Sequence, residues 1–186
     1  MKTQKILSLA FSFLLLLPSR SDPKADYDTV QKIQEASRLT IERTSDFDVK
    51  IKACDDAINA LQAFVTKHPK GELTNTAKTA LASWQSKKSS LQQEVTSLME
   101  KLYRLMNDRA IELAKRHHPA SKIQMMQLAD RQTKKEPDKI VVNDSYAVKM
   151  RGAIVGKEVF NFLVKVSGHA STDSKSVTVD NAVIEE

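Results

Sequence analysis

Glycine is scarce in this sequence, with only four residues in 186. Glycine lets a backbone approach a phosphate or a cofactor closely, so few such contacts are available here. The sequence also has no glycine-rich phosphate loop, no cysteine pair for zinc and no strained turn that would carry a serine nucleophile. These absences lower the expectation of an enzyme, although distant residues can still assemble a catalytic site.

Cysteine is scarcer still, because Cys54 is the only one. A single thiol cannot form an internal disulfide, so packing alone must hold the fold in an oxidising compartment. Cys54 does not follow the N-terminal apolar run, as the lipid-attachment cysteine of a bacterial lipoprotein would. It lies in an apolar helical stripe, which favours a buried small residue over a reactive thiol.

Acidic residues are absent from the first 21 residues, which are predicted to be a secretory signal peptide. Lys2 and Lys5 precede an apolar run from Ile6 to Leu17. An uncleaved membrane anchor is the alternative, but a helix needs about 20 apolar residues to cross a bilayer, and Pro18 ends this run earlier. We therefore expect a periplasmic or secreted protein with no transmembrane segment after signal removal.

The net charge is modest once the signal is removed. The chain has 29 basic and 23 acidic residues, a formal charge of +6. Lys2, Lys5 and Arg20 lie in the signal, so 29 becomes 26 and +6 becomes +3. The remaining basic residues have acids between them, as in RQTKKEPDK, which is typical of a solvated face. We expect no nucleic-acid partner, because an exported protein meets little nucleic acid.

Two helices are predicted after the signal peptide. Asp22-Pro23 can cap and begin the first, which continues to about Thr44. Ser45 and Asp48 have capping-box spacing and predict the start of the second, which the breakers at 68–71 end. The second helix has an apolar stripe at steps of three and four, formed by Phe47, Ile51, Cys54, Ile58, Leu61 and Val65.

A third helix is predicted from about Leu73 to His117, because this stretch contains neither glycine nor proline. It would be about 67 Å long, and Ser89-Ser90 offers a possible break. A continuous helix is favoured, because the near-heptad stripe, a pattern typical of coiled coils, keeps its phase across these serines. The stripe comprises Ala77, Leu81, Trp84, Lys88, Leu91, Val95, Leu98, Leu102 and Leu105, and Met99, Tyr103, Met106, Ala110 and Leu113 widen it.

This long helix carries more apolar surface than two short helices and a small sheet are expected to cover. We therefore predict a protein partner or self-association along the segment from Leu91 to Leu113. The candidate partner-binding residues are Leu91, Val95, Leu98, Leu102, Leu105 and Met106. Leucine and methionine at helical spacing are also ordinary core residues, so burial within the protein itself is the alternative.

Beyond the long helix the apolar period changes. Pro119 predicts a short helix through Met126 and Ala129, followed by a linker. Alternation with a period of two then predicts three antiparallel strands, whose apolar residues are Tyr146, Val148 and Met150, then Phe160, Phe162, Val164 and Val166, then Val177 and Val179. Gly156-Lys157 suits a tight hairpin turn, and HASTDSK makes a looser second connection. The apolar face of so small a sheet should rest on a helix, a second copy or a partner.

These patterns predict an α+β fold. An antiparallel helical hairpin or bundle with one long helix precedes a small antiparallel three-stranded β-meander. The predicted parts are a signal peptide (1–21), a helical domain (22–117), a short helix and linker (118–138) and a small β-sheet region (139–186).

One segment resembles half of a tetratricopeptide repeat. In DDAINALQAFVTKHPKGEL, Ala57, Leu61, Phe64 and Pro69 have the spacing of the repeat's second helix, where small and bulky residues let paired helices nest. The resemblance covers residues 55–81 and has no counterpart of the repeat's first helix. The spacing does not recur one repeat length later, so a helical hairpin that packs by the same rules is favoured over an array.

Four residues could form a metal site. His117 and His118 with Met125 and Met126 provide imidazole and thioether ligands, which suit copper. Adjacent histidines on a helix point about 100° apart, and histidines also favour a helix C-terminus, so a structural pair followed by core methionines is the alternative.

Other titratable residues give little indication of chemistry. His68 and His169 are predicted in turns without an evident nucleophile, and Asp55-Asp56 points to two sides of a helix. We expect no catalytic residue, metal or cofactor. The leading hypothesis is an exported non-catalytic helical protein that acts as a protein-interaction or structural module of the cell envelope. The alternative is an exported copper-binding protein or an enzyme that uses the His117, His118, Met125 and Met126 region.

Overall fold

The computed structural model describes residues 22–152 and 159–185. The predicted signal peptide and the Gly156-Lys157 turn lie outside these residues. Three helices precede a four-stranded antiparallel sheet, so the predicted α+β class is confirmed. The elements are α1 (Pro23–Arg43), α2 (Phe47–Lys67), α3 (Glu72–His117), β1 (Ser121–Lys135), β2 (Lys139–Gly152), β3 (Val159–Ser171) and β4 (Ser176–Glu185).

Side-chain caps set the starts of the first two helices. The Asp22 carboxylate accepts a hydrogen bond from the Lys24 amide at 2.9 Å, as the sequence predicts. The predicted capping box at Ser45 is wrong by one residue. Asp46 caps α2 instead, because its carboxylate accepts from the amides of Asp48 and Val49, at 2.8 and 3.3 Å. A negative charge there also complements the positive end of the helix dipole.

The third helix is continuous. It has 46 residues, about 69 Å at 1.5 Å per residue, and it crosses Ser89-Ser90 without a break. Gly71 precedes it with a φ of +121°, a backbone conformation that favours glycine. No described helix combines the length and the apolar character that a bilayer crossing requires.

The N-terminal half of α3 packs with α1 and α2. Their shared cluster, which we call the helical core, comprises Tyr27, Val30, Ala60, Leu61, Phe64 and Ala77. Cys54 is fully buried on α2, as predicted, and burial raises the pKa of its thiol. Residues 55–81, which carry the resemblance to a nested helix pair, lie in α2 and the start of α3, and these two helices pack together as a hairpin.

The C-terminal half of α3 packs on one face of the sheet. The strands form a meander in the order β1-β2-β3-β4, and the helix covers the predicted apolar face. This second cluster, the sheet core, comprises Leu102, Met106, Ala110, Ala114, Val142, Tyr146, Val148, Met150, Phe162, Val164, Val166 and Ala170. Gly168 permits the close approach, since a Cβ there would lie 2.7 Å from the Thr178 carbonyl oxygen and 3.0 Å from Leu102 Cδ1.

The short helix predicted from Pro119 through Met126 and Ala129 is wrong, and so is the linker after it. Most of these residues form β1 (Ser121–Lys135), the fourth strand that the prediction omitted, and 136–138 connect it to β2. Gln124 and Ala129 have no register partner on β2 and form bulges. A bulge inserts one extra residue into the strand. The half-buried residues Ile123 and Met126 are therefore three positions apart, a spacing that is also typical of one face of a helix.

The connection between the last two strands is tighter than predicted. β3 continues to Ser171 and β4 begins at Ser176, so most of HASTDSK belongs to the strands or to a short turn. His169 therefore lies within β3 rather than in a turn. A third bulge, at Asp180, interrupts the pairing of β4 with β3.

The two cores meet only through α3. Within the described residues, no Cα atom of α1 or α2 lies within 8 Å of a Cα atom of any strand. The molecule is therefore built as two packing units on one helical spine.

Candidate functional site

The structure divides the six predicted partner-binding residues of α3. Leu102 and Met106 are fully buried in the sheet core, so the prediction that they face a partner is wrong. Leu98 is half-buried and packs against the same core. The sheet has a fourth strand, and its other strands are longer than predicted. It therefore covers apolar surface of α3 for which the sequence predicts no cover within the protein.

Three of the six belong to neither core and keep access to solvent. Leu91 and Val95 are half-buried and belong to neither core, and Leu105 is 40% exposed. Leu91 and Val95 lie four residues apart and so share one side of α3. They lie in the stretch of α3 between the helical core and the sheet core. We call this pair the junction strip.

Two ion pairs cross the same region. Lys135 Nζ lies 2.7 Å from Asp48 Oδ2, which joins the end of β1 to the first turn of α2. Lys175 Nζ lies 2.5 Å from Glu94 Oε1, which joins the β3–β4 turn to α3. All but Glu94 are largely exposed, so solvent and salt weaken both pairs.

The histidine pair at the end of α3 contacts phenylalanines. The His118 ring stacks on Phe160, with centroids 4.1 Å apart and an interplanar angle of 20°. The His117 ring meets Phe162 edge to face at 5.5 Å. These contacts dock the last turn of α3 onto the sheet, as large aromatic rings often do at packing interfaces.

The methionines do not join this pair as a group. Met125 and Met126 are consecutive residues of β1, so their side chains point to opposite faces of the sheet. Met126 packs against the sheet core, whereas Met125 is 49% exposed. Across residues 22–152 and 159–185, no three histidine, cysteine or acidic side chains are arranged to hold a metal ion.

A buried ion pair joins β1 to β2. Arg131 Nε and NH2 donate to the two carboxylate oxygens of Asp144, each at 2.7 Å, and the Asp144 side chain is fully buried. The Tyr146 hydroxyl donates to the same carboxylate at 2.9 Å. The Arg131 guanidinium also lies 3.7 Å from the centre of the Tyr103 ring on α3.

The electrostatics of this network favour a fixed arrangement. Burial raises the pKa of Tyr146, and its hydrogen bond to Asp144 raises it further. The hydrogen bond to Asp144 likewise raises the pKa of Arg131. Every strong donor and acceptor named here has a partner, so the network can fix the register of β1 and the position of α3. One signal in the sequence could have revealed this network. Asp144 lies two residues from both Val142 and Tyr146, at a position of β2 where the alternation predicts an inward-facing apolar residue.

Two further histidines pair with acids. His68 Nε2 lies 2.7 Å from Asp26 Oδ2, beside Lys67, and this contact ties the end of α2 to α1. His169 Nδ1 lies 2.9 Å from Asp180 Oδ1 on the outer face of the sheet. Neither contact includes a serine or cysteine nucleophile, and each joins neighbouring elements.

Comparison with known proteins gives no relative for this chain: no family model, no curated protein and no solved structure matches it.

Proposed function

We propose that this chain is an exported, non-catalytic protein that acts as a protein-interaction or structural module of the cell envelope. The observation that supports this is the placement of two separate cores on one continuous 46-residue helix. Such a spine holds a helical hairpin and a sheet at a fixed separation. A protein that links or spaces other components needs this property and no reaction centre.

The junction strip is the proposed contact for a protein partner or a second copy. Leu91 and Val95 keep apolar surface in solvent where neither core covers them fully. Burial of apolar surface is the main favourable term in protein association. The nearby ion pairs give the strip a polar border, which is the usual composition of an interface rim.

Export is the second part of the proposal. The apolar run from Ile6 to Leu17 has the length of a signal segment and is short for a membrane anchor. N-terminal sequencing of native protein should therefore find a start near Asp22. Recovery of an intact chain beginning at Met1 from the cytoplasm would contradict this part.

Photo-cross-linking in the native host tests the contact. A benzophenone amino acid at Val95 should give an adduct with a protein partner or with a second copy. The matched control places it at Ser97, an exposed residue about 200° around the helix from Val95. The control should give no specific adduct.

Two results would overturn the proposal. One is a chain that stays monomeric at high concentration and gives no adduct from either position. The other is micromolar copper binding that is lost in a His117→Ala, His118→Ala double variant, which would favour the metal-binding alternative.

A further inference from the structure

The ion pairs of the sheet are unevenly distributed. Near the β1–β2 and β3–β4 turns, basic side chains have carboxylate partners: Arg131 with Asp144, Lys134 and Lys139 with Glu136, Lys135 with Asp48, and Lys175 with Glu94. Lys165, farther along β3, pairs with Glu185. At this end of the sheet, positive charge is neutralised locally.

The opposite end carries basic residues for which the described part of the chain provides no such partner. Lys122, Lys149 and Arg151 lie there, and Lys115 lies on the last turns of α3. None of the four forms an ion pair with another residue in 22–152 or 159–185. The described segments 113–122, 147–152 and 159–163 contain no aspartate or glutamate. Glu185 of β4 is the register partner of Leu163, but its carboxylate is paired with Lys165. We call the four basic residues the basic end.

Strand register places the sheet members of the basic end together. Lys122, Arg151 and Val159 are partners across β1, β2 and β3, so their side chains share one row. The next row on the same face contains Met125, Lys149 and Asn161. Adjacent strands lie about 4.8 Å apart and alternate residues about 6.6 Å apart, so two rows fit within about 10 Å in each direction.

The helix adds positive charge at the same end of the molecule, on the other face of the sheet. The rings of His117 and His118 pack on Phe162 and Phe160, which lie beside these rows along β3. This contact places the last turn of α3, with the exposed Lys115, at the same end of the sheet but on its other face. The positive charges therefore come from both layers of the fold.

Apolar side chains are interleaved with these charges. Met125 is 49% exposed in the row of Lys149, and Val159 is 42% exposed in the row of Arg151. Positive charge alone would suit any polyanion. Positive charge mixed with exposed apolar groups on an open sheet face fits a broad surface that offers both phosphates and hydrocarbon.

We propose that the basic end binds the surface of an anionic phospholipid bilayer. On the open outer face, Lys122, Lys149 and Arg151 contact the lipid phosphates, and Met125 and Val159 enter the headgroup region. Lys115, behind the sheet, adds only to the local positive potential. The contact is peripheral, and it lies on residues different from those of the junction strip. It therefore goes beyond the proposed function and can fail independently of it.

Vesicle co-sedimentation tests this proposal. The protein is purified with the N-terminus that it has in the native host. The vesicles contain phosphatidylcholine with about 30% phosphatidylglycerol, an anionic lipid. Vesicles of phosphatidylcholine alone measure binding that does not depend on lipid charge, including any binding by the N-terminal apolar run. Binding to the anionic vesicles should be stronger, and it should fall as added salt screens the charges.

The decisive comparison is between two double variants with the same change in charge. Lys149→Gln with Arg151→Gln should weaken anionic binding about 25-fold, because each basic residue near such a surface contributes about fivefold, or about 1 kcal/mol. Lys134→Gln with Lys139→Gln, at the opposite end of the sheet, should leave binding nearly unchanged. Met125→Gln should give a smaller loss at constant charge. Circular dichroism confirms that each variant is folded.

Three results would overturn the proposal. Wild-type protein could show no preference for anionic vesicles, or the two double variants could lose binding equally. Alternatively, the basic end could bind polyglutamate in preference to vesicles, which would assign it to an acidic protein partner. A cross-linked partner at Val95 in any of these cases would leave the proposed function intact.

Discussion

The two halves of α3 pack in different ways. In the N-terminal half, α3 meets another helix, and the buried contacts include the small residues Ala57, Ala60 and Ala77. In the C-terminal half it meets a sheet, where Leu102 and Met106 fill the space between the layers and Ala110 and Ala114 pack closely on the strands toward the end of the helix. Small residues let helix axes approach to about 8 to 10 Å. One near-heptad stripe therefore serves two kinds of neighbour, and its spacing alone does not tell which.

The comparison also indicates that the two cores are energetically separable. The two cores share α3, but within the described residues neither α1 nor α2 packs against a strand. The ion pairs that connect the two halves are exposed and are expected to contribute little energy. Trp84, the only tryptophan, packs against the helical core, so its fluorescence reports that half alone. Hydrogen exchange of the strands reports the sheet core.

The largest effect is expected when the buried ion pair of the sheet core is broken. Arg131→Met should cost about 3 to 5 kcal/mol, because it leaves the Asp144 carboxylate buried without its cation. Strand amides should exchange faster, while the Trp84 unfolding midpoint stays unchanged. Adding Asp144→Leu should restore most of the stability. A similar loss at Trp84 would show that the two cores unfold together.

A cavity in the helical core should have the converse effect. Leu61→Ala should cost about 2 to 5 kcal/mol at the Trp84 transition, because Leu61 is fully buried and its loss leaves a void. Asn59→Ala, on the exposed face of α2, should cost less than about 0.5 kcal/mol. Equal small effects in a denaturant titration would mean that the α2 stripe is not a core.

The close approach of α3 to the sheet can be tested at Gly168. Gly168→Ala should destabilise the sheet core by about 1 to 3 kcal/mol, because its Cβ would lie 3.0 Å from Leu102 Cδ1 of α3 and 2.7 Å from the Thr178 carbonyl oxygen of β4. Ser167→Ala, on the outer face of the same strand, is the control and should change stability by less than about 0.5 kcal/mol. A neutral Gly168→Ala, measured by strand hydrogen exchange, would indicate a looser contact.

The smallest effect is expected at the ion pairs between the two halves. Lys135→Ala and Lys175→Ala should each cost between about 0 and 1 kcal/mol, since both lysines are largely exposed. The loss should vanish in high salt, as thermal unfolding at two salt concentrations would show. A larger, salt-independent loss would require contacts between the halves other than these pairs.

The helices could be predicted from the sequence because their signals are local. Asp22-Pro23 starts α1, and a long stretch without glycine or proline defines α3. β1 could not be predicted, because its bulges at Gln124 and Ala129 replace a spacing of two with three. Its glutamine, methionine, leucine and alanine residues also have good helix propensity.

The predicted partner strip was partly wrong for a related reason. The prediction omits β1 and gives β2 and β3 too few residues. The predicted sheet is therefore too small to bury Leu102 and Met106 of α3, and the prediction assigns them to a partner. The basic end could not be found from composition either, because the formal charge of residues 22–186 is only +3. Only the register of the strands places Lys122, Lys149 and Arg151 together on one face of the sheet.

Hydrogen exchange of the Leu61→Ala variant, measured segment by segment against wild type, tests the separation of the two cores most directly. The two-core account predicts faster exchange in α1, α2 and the N-terminal half of α3, with unchanged exchange in all four strands. Faster exchange of the strands by the same factor would contradict it, because the chain would then unfold as one cooperative unit.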